Sequence, residues 1–197
     1  MKYLTIVAFT LCISCSEMGK KESSSISRDA NSLSNGNIQT DSFNLKFSFL
    51  RNLPVRNTPF RDSTNFDNFR FSALLSQEQL YRFNLAAIVS PYDLKDIRSS
   101  EMRYRIPLSE QFVTVVFTTQ VGEHELRTDL ANFDHNFRLI DFKTIAYDDI
   151  AEGCIQKAAL ISKDKIIIYE ANYCDADTAI LEKNWILDGA GMVILAK

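Results

Sequence analysis

From Phe112 to the C-terminus, apolar and polar residues follow one another in short runs of strand length. The runs cover 112–120, 124–133, 137–146, 154–162, 166–174, 179–187 and 190–196. Residues that suit turns separate them: Val121-Gly122-Glu123, Asp134-His135-Asn136, Lys163-Asp164-Lys165 and Asp188-Gly189. Alternation with a period of two marks a strand with one buried face. Connections this short force consecutive strands to lie side by side and antiparallel. The pattern predicts a mainly β fold with minor α, built on an antiparallel meander of about seven C-terminal strands. Asp188-Gly189, between Leu187 and Ala190, suits a two-residue type I′ turn, which needs positive φ at both central positions. Trp185, in the penultimate strand, reads as core.

Before Phe112 the pattern is less regular and predicts a smaller strand and short-helix portion packed on the meander. Phe43, Leu45, Phe47 and Phe49 alternate as a strand would, and Leu53-Pro54 and Thr58-Pro59 then interrupt regular structure. Phe60 to Phe71 carries rings at 60, 66, 69 and 71 among Arg, Asp and Asn, and reads as an irregular segment pinned to the core by those rings. Ser76-Gln77-Glu78-Gln79 has the form of a capping box, opening a helix to about Asn84 with Leu80 and Phe83 inward. Leu85 to Val89 is an apolar run of strand length, stopped by Ser90-Pro91, and Tyr92 to Ile97 has room for one or two helical turns. Met102, Tyr104 and Ile106 alternate with Arg103 and Arg105, a half-buried strand that Pro107 ends.

The first residues follow a different logic. Lys2 precedes an apolar run from Tyr3 to Leu11, which is too short to span a bilayer and fits the core of a signal peptide. Residues 16–42 are rich in Ser and Asn, and their few apolar positions have no period, so a flexible tether is expected there. At ~5–6 Å × √n such a tether reaches about 30 Å. The organisation is then a signal peptide over 1–15, a tether over 16–42, and a single β-rich domain over 43–197.

The stretch Leu11-Cys12-Ile13-Ser14-Cys15-Ser16 resembles the lipobox of bacterial lipoproteins. Ser14 and Ile13 match the family pattern, while Cys12 stands where the family has Leu. The resemblance implies that Cys15 is lipidated, palmitate among its acyl groups, and becomes the mature N-terminus. Ser16 in place of Asp implies the outer membrane. The alternatives are cleavage near Ser14 or Ser16 as an ordinary signal peptide, giving a periplasmic or secreted protein, and a retained anchor. The meander itself resembles the C-terminal half of an uncharacterised family of small β-rich bacterial lipoproteins. The likeness lies in Asn132-Phe133-Asp134-His135-Asn136-Phe137-Arg138-Leu139-Ile140-Asp141 and in Leu187-Asp188-Gly189, and it brings no activity with it.

Composition narrows the partners. Hydrophobic content of 46% with fourteen Phe describes a folding chain, and a net charge of −3 without any Lys/Arg cluster argues against nucleic acid. Charge is uneven, with ten basic and six acidic residues from Phe43 to Arg105 but eight basic and fifteen acidic from Ile106 onward. Either the two halves complement each other, or the acidic half offers a face to a partner or cation.

After the leader, only Cys154 and Cys174 remain, an even pair in a chain expected to be exported. If Lys163-Asp164-Lys165 is a three-residue loop, Cys154 stands opposite Cys174, within disulfide range. The same register pairs Ile155 with Tyr173, Ala159 with Tyr169 and Ile161 with Ile167 as the apolar face. A bond closing about twenty residues contributes on the order of 3 kcal/mol. Two free thiols, or a redox or metal pair, are the alternatives.

Signatures of known chemistry are missing. There is no nucleophile elbow, no Gly-rich phosphate loop and no zinc-protease helix. His124 lies between Glu123 and Glu125, His135 between Asp134 and Asn136, and both read as solvated turn or strand-edge residues. The acidic positions are the better site candidates. Asp148, Asp149 and Glu152 precede Cys154, and Asp175 and Asp177 follow Cys174, so the cystine would gather five carboxylates able to ligate Ca²⁺, or simply a solvated loop surface. A sugar cleft would need an aromatic platform, of which that hairpin shows little beyond Tyr147 and Tyr173. The reading is a non-enzymatic, membrane-anchored envelope lipoprotein with a protein-binding or immunity-type role. The alternatives are a small hydrolase using a His, or a periplasmic cation or small-ligand binder.

Overall fold

Neighbouring residues on the central strands enter different cores: Val115 and Phe117 go to one, Val116 between them to the other. The computed structural model describes residues 48–90, 92, 94–174 and 179–197. All belong to the compact unit Asn37–Lys197. The leader with Cys15, the tether, and residues 43–47 of the expected first strand lie outside the described residues, as do Asp175 and Asp177.

Among the described residues nine strands form: β1 (Phe60–Asp62), β2 (Ile97–Ile106), β3 (Val113–Val121), β4 (Glu125–Phe133), β5 (Leu139–Asp149), β6 (Ile155–Ile161), β7 (Lys165–Asn172), β8 (Ile180–Leu187) and β9 (Val193–Leu195). From β2 to β9 each strand pairs antiparallel with the next, so the protein is the mainly β meander that the alternation predicts. One junction is weak. β5 and β6 pair only through Tyr147 with Lys157 and Asp148 with Gln156, and beyond this fork β1 lies along β6 instead. The last strand comes back to the middle of the sheet. Asp141 of β5 accepts the N–H of Val193 at 2.8 Å, and the Asn132 side chain donates to the Gly191 carbonyl at 2.7 Å.

Two cores follow from this curl. In the first, Met102, Val115, Phe117, Ala131 and Phe133 meet Leu80, Phe83, Leu85, Ile88 and Val89 of two short helices, α1 (Gln77–Arg82) and α2 (Leu85–Ile88). In the second, Tyr104, Ile106, Val116, Leu130 and Ile145 meet Ala159, Ile161, Ile166, Ile168 and Val193. Strand β3 is therefore covered on both faces, which is why its sequence runs apolar with Thr where strict alternation would place charge. Full burial of rings such as Phe83, Phe117 and Phe133 contributes ~1.5–3 kcal/mol each. Helix α1 begins with the expected box: Ser76 Oγ accepts the Gln79 N–H at 3.3 Å, and Gln79 Oε1 accepts the Ser76 N–H at 2.8 Å.

Several expectations are corrected. Leu85 to Val89 forms a single helical turn, not a strand. Asn84 takes a left-handed conformation (φ 52°), which turns the chain so that Leu85, Ile88 and Val89 all reach 0% exposure. Ser48–Asn52, at the end of the expected first strand, is a 3₁₀ helix. A register shift between Met102 and Tyr104 leaves Arg103 as an extra residue, so Met102 enters the first core and Tyr104 the second. The turn after Leu187 is wider than two residues. Asp188 Oδ1 accepts the N–H groups of Ala190 and Met192, the positive φ falls on Gly191, and β9 starts at Val193. Finally, Lys165 already belongs to β7, which pairs Ile161 with Ile166 and Ala159 with Ile168. The buried face is thus Ala159, Ile161, Ile166 and Ile168, while Ile167 and Tyr169 fall on the other side.

The segment after β1 also departs from expectation. Phe60 does pack on the second core, edge-on to Tyr104 at 5.7 Å. Phe66, Phe69 and Phe71 join neither core, and polar groups hold their segment in place.

Candidate functional site

Cys154 and Cys174 form a disulfide with a Cα separation of 4.9 Å, although the register is not the one that would set them opposite each other. The shift places Tyr173 beside Cys154, whose carbonyl accepts the Tyr173 N–H at 2.7 Å. Just past β7, Asn172 Oδ1 accepts the Cys174 N–H at 3.1 Å, so the chain turns there and carries Cys174 back to its partner. A turn, not a ladder position, makes the bond.

Of the acidic candidates, Asp148, Asp149 and Glu152 are dispersed by strand geometry. Asp148 and Asp149 are successive residues of β5 and project to opposite faces. Asp148 is buried, and its carboxylate accepts the Phe66 N–H at 2.9 Å and the Gln156 amide at 3.1 Å. Asp149 accepts the Ala151 N–H at 2.9 Å, closing the turn that leads to Glu152, which is exposed. Asp175 and Asp177 lie outside the described residues, and among the described residues no three His, Cys, Asp or Glu side chains are grouped to hold a metal ion. The histidines do not share a site. His124 ends the turn before β4 and His135 lies in the turn after it, with a strand of roughly 30 Å between them at ~3.3 Å per residue.

At the fork between β5 and β6 a groove of about 160 Å³ gathers Tyr147, Tyr169, Tyr173, Arg61, Lys157 and Gln156. Tyr169 is the phenol that hairpin-based reading of the sequence does not place here; only the register of β7 against β6 and β1 brings it in. Lys157 lies 5.7 Å from the Tyr147 ring and 3.2 Å from Glu170, which Lys183 also approaches at 3.3 Å. Burial pushes the Glu170 carboxyl up, and the two lysines more than reverse that, holding it below its ordinary value. Behind the groove, Tyr92 donates to Glu125, whose carboxylate also acts on the Tyr147 phenol. Burial first, and then the Glu125 bond and charge, raise both phenols, Tyr92 to about 12.

A second buried network lies under α2. Arg127 meets Asp129 with two bonds of 2.8 and 2.9 Å and donates to the carbonyls of Ile88 (2.9 Å) and Val89 (3.2 Å), the last acceptors of that helical turn. Thr144 completes it, bonded to both Arg127 and Asp129. Every group in the network has a partner, and its effect is to fasten α2 to β4 and β5.

The most open apolar surface is at the end of the meander. Ile180 is 67% exposed, Ile186 49% and Ile194 52%, with Ile186 and Ile194 directly opposite each other on β8 and β9. Leu181 and Leu195 are exposed on the alternate positions. The sequence carries a trace of this: β8 is apolar at both parities at its two ends, as buried strands are, but no second layer covers it among the described residues. No helix among the described residues is long and apolar enough to cross a membrane. Compared with protein-family models, with curated proteins and with solved structures, the chain matches none of them.

Proposed function

We propose that this protein is a membrane-anchored envelope lipoprotein whose β domain is a non-enzymatic, protein-binding module. The apolar leader and the lipobox-like stretch ending at Cys15 support lipid anchoring at the outer membrane. The observation that carries the binding role is the pair Ile186 and Ile194, directly opposite each other on β8 and β9 and each about half exposed. Isoleucine side chains grouped in water are costly to keep, and contiguous exposed apolar surface marks sites of association. Lys165, which the register sets opposite Ile186 on the same face, gives that pair a charged neighbour of the kind found at the rim of a protein interface. The test is affinity capture from membranes with the intact chain, run beside an Ile186→Arg/Ile194→Arg variant whose melting temperature is unchanged. A polypeptide held by the parent and lost by the variant is the expected result. Identical captures from both, or none from either, reject the role of this surface.

A further inference from the structure

Phe66, Phe69 and Phe71 stand together outside both cores and form the wall of a cleft of about 410 Å³, with Gln120 and Leu126 of the β3–β4 hairpin beneath them and Arg70 at the rim. That volume lies in the range of ~300–1,000 Å³ typical of small-molecule sites. The wall has no helix or strand of its own, yet its main chain is fixed at both ends. Asp148 holds the N–H of Phe66. Glu101, also buried, accepts the N–H of Ser72 at 2.7 Å, its hydroxyl at 2.9 Å and the N–H of Ala73 at 3.2 Å. Around the first anchor, Asn65 and Asn68 each accept the other's main-chain N–H. Arg103 lies 4.4 Å from the centre of the Phe69 ring, and Phe69 and Phe71 meet edge to face at 4.9 Å. Two buried carboxylates thus fix three partly exposed rings in advance, which removes much of the ordering cost a ligand would otherwise meet.

Charge narrows the ligand. Arg70 is the charged residue lining the cleft and Arg103 stands behind it; Asp67, exposed in the same segment, does not line it, and Asp148 and Glu101, which hold the segment, are bonded to main-chain N–H groups. Arg70 gives Nη1 to the carbonyls of Phe66 and Phe69, which ties the guanidinium to the wall and leaves Nε and Nη2 to donate. We propose that this cleft binds a small amphiphilic anion, with an aromatic or acyl body against Phe66, Phe69 and Phe71 and its anionic group on Arg70. The cleft shares no residue with the β8–β9 surface, and the inference stands without it.

The probe is 8-anilinonaphthalene-1-sulfonate, titrated by fluorescence into the folded full-length chain, with decyl sulfate as competitor. Saturable one-site binding, displaced by decyl sulfate, is expected. Arg70→Gln is expected to weaken it roughly tenfold, the loss of one charge-assisted contact. Phe71→Ala is expected to weaken it similarly, and Ile186→Arg to leave it unchanged. Uncharged anilinonaphthalene on the parent chain gives the same comparison without any substitution and is expected to bind about tenfold more weakly. Absence of saturable binding, equal affinity for the charged and uncharged probes, or loss of binding in Ile186→Arg but not in Phe71→Ala would each overturn the proposal.

Discussion

Asp148 and Phe66 are eighty-two positions apart in the chain, and the carboxylate of the first accepts the main-chain N–H of the second at 2.9 Å. Because Asp148 is 5% exposed, the bond is formed away from water, and its loss would leave a donor unsatisfied. Asp148→Ala is therefore expected to cost about 1–3 kcal/mol, while Asp148→Asn, which keeps an acceptor in place, costs less. Urea melts give the stabilities, and limited trypsin cleavage at Arg61 and Arg70 reports whether the segment has loosened. Cleavage as slow in Asp148→Ala as in the parent would mean that the segment is held by something else.

The disulfide makes a separate prediction. Cys154 and Cys174 close a loop with a sequence separation of 20, and replacing both with Ala should lower stability by about 3 kcal/mol through the freedom regained by the unfolded chain. Since Asn172 turns the chain toward Cys154, Asn172→Ala is expected to slow reoxidation of the reduced protein without preventing it. Titration of thiols in denaturant without reductant checks the bond, and two reactive thiols from the second half of the chain would refute it.

How much of this was legible beforehand depends on the range of the interaction. Runs of strand length bounded by turn residues are local signals, and they mark β3 to β9 to within a few residues. The Ser76–Gln79 box is local too and stands where it was read. The one-turn helix at Leu85 was not legible, because five apolar residues suit a strand or a helix equally and the deciding conformation is that of Asn84. The bulge at Arg103 and the one-residue change at Lys165 each reverse which side chains are buried, and nothing in the local pattern penalises either. The candidate sites were less legible still. The acidic residues could be named from their sequence positions, but Asp148 is tied to Phe66 and Tyr169 reaches the fork groove through pairings that span the whole domain.

Arg127 and Asp129 offer a test of what a buried ion pair contributes. Their side chains are 9% and 0% exposed, so removing one leaves a charge without compensation. Arg127→Met is expected to destabilise by roughly 3–5 kcal/mol. Arg127→Met combined with Asp129→Leu removes both charges and should recover part of that loss. Recovery stays incomplete, because Ile88 and Val89 lose their donor at a cost of about 1–3 kcal/mol for each buried carbonyl left unsatisfied. A double-mutant cycle by urea unfolding measures the terms. Full recovery in the double variant would show that the helix carbonyls find other partners.

Tyr92 predicts how the fold responds to alkali. Burial, then its bond to Glu125 and the charge of that carboxylate, raise the phenol to about 12. The unfolded chain ionises tyrosine near ~10. A phenol raised in the folded state favours folding below the unfolded value, and that advantage is lost as pH climbs from about 10 to about 12, where the unfolded state has released a proton that the folded state still holds. Tyr104, through burial and then Asp62, and Tyr147, through burial and then Glu125, are raised in the same direction and add to the decline. Stability measured across this range should therefore fall with pH. Tyr92→Phe removes one ionising group from both states, so its profile should fall less steeply than that of the parent. Glu125→Gln should bring the Tyr92 phenol down toward its ordinary value without reaching it, since burial remains. Near-ultraviolet absorbance of the phenolate follows both effects directly. Parallel stability profiles for the parent and Tyr92→Phe would mean that Tyr92 ionises in the folded protein as it does in water, and the contact with Glu125 would have to be abandoned.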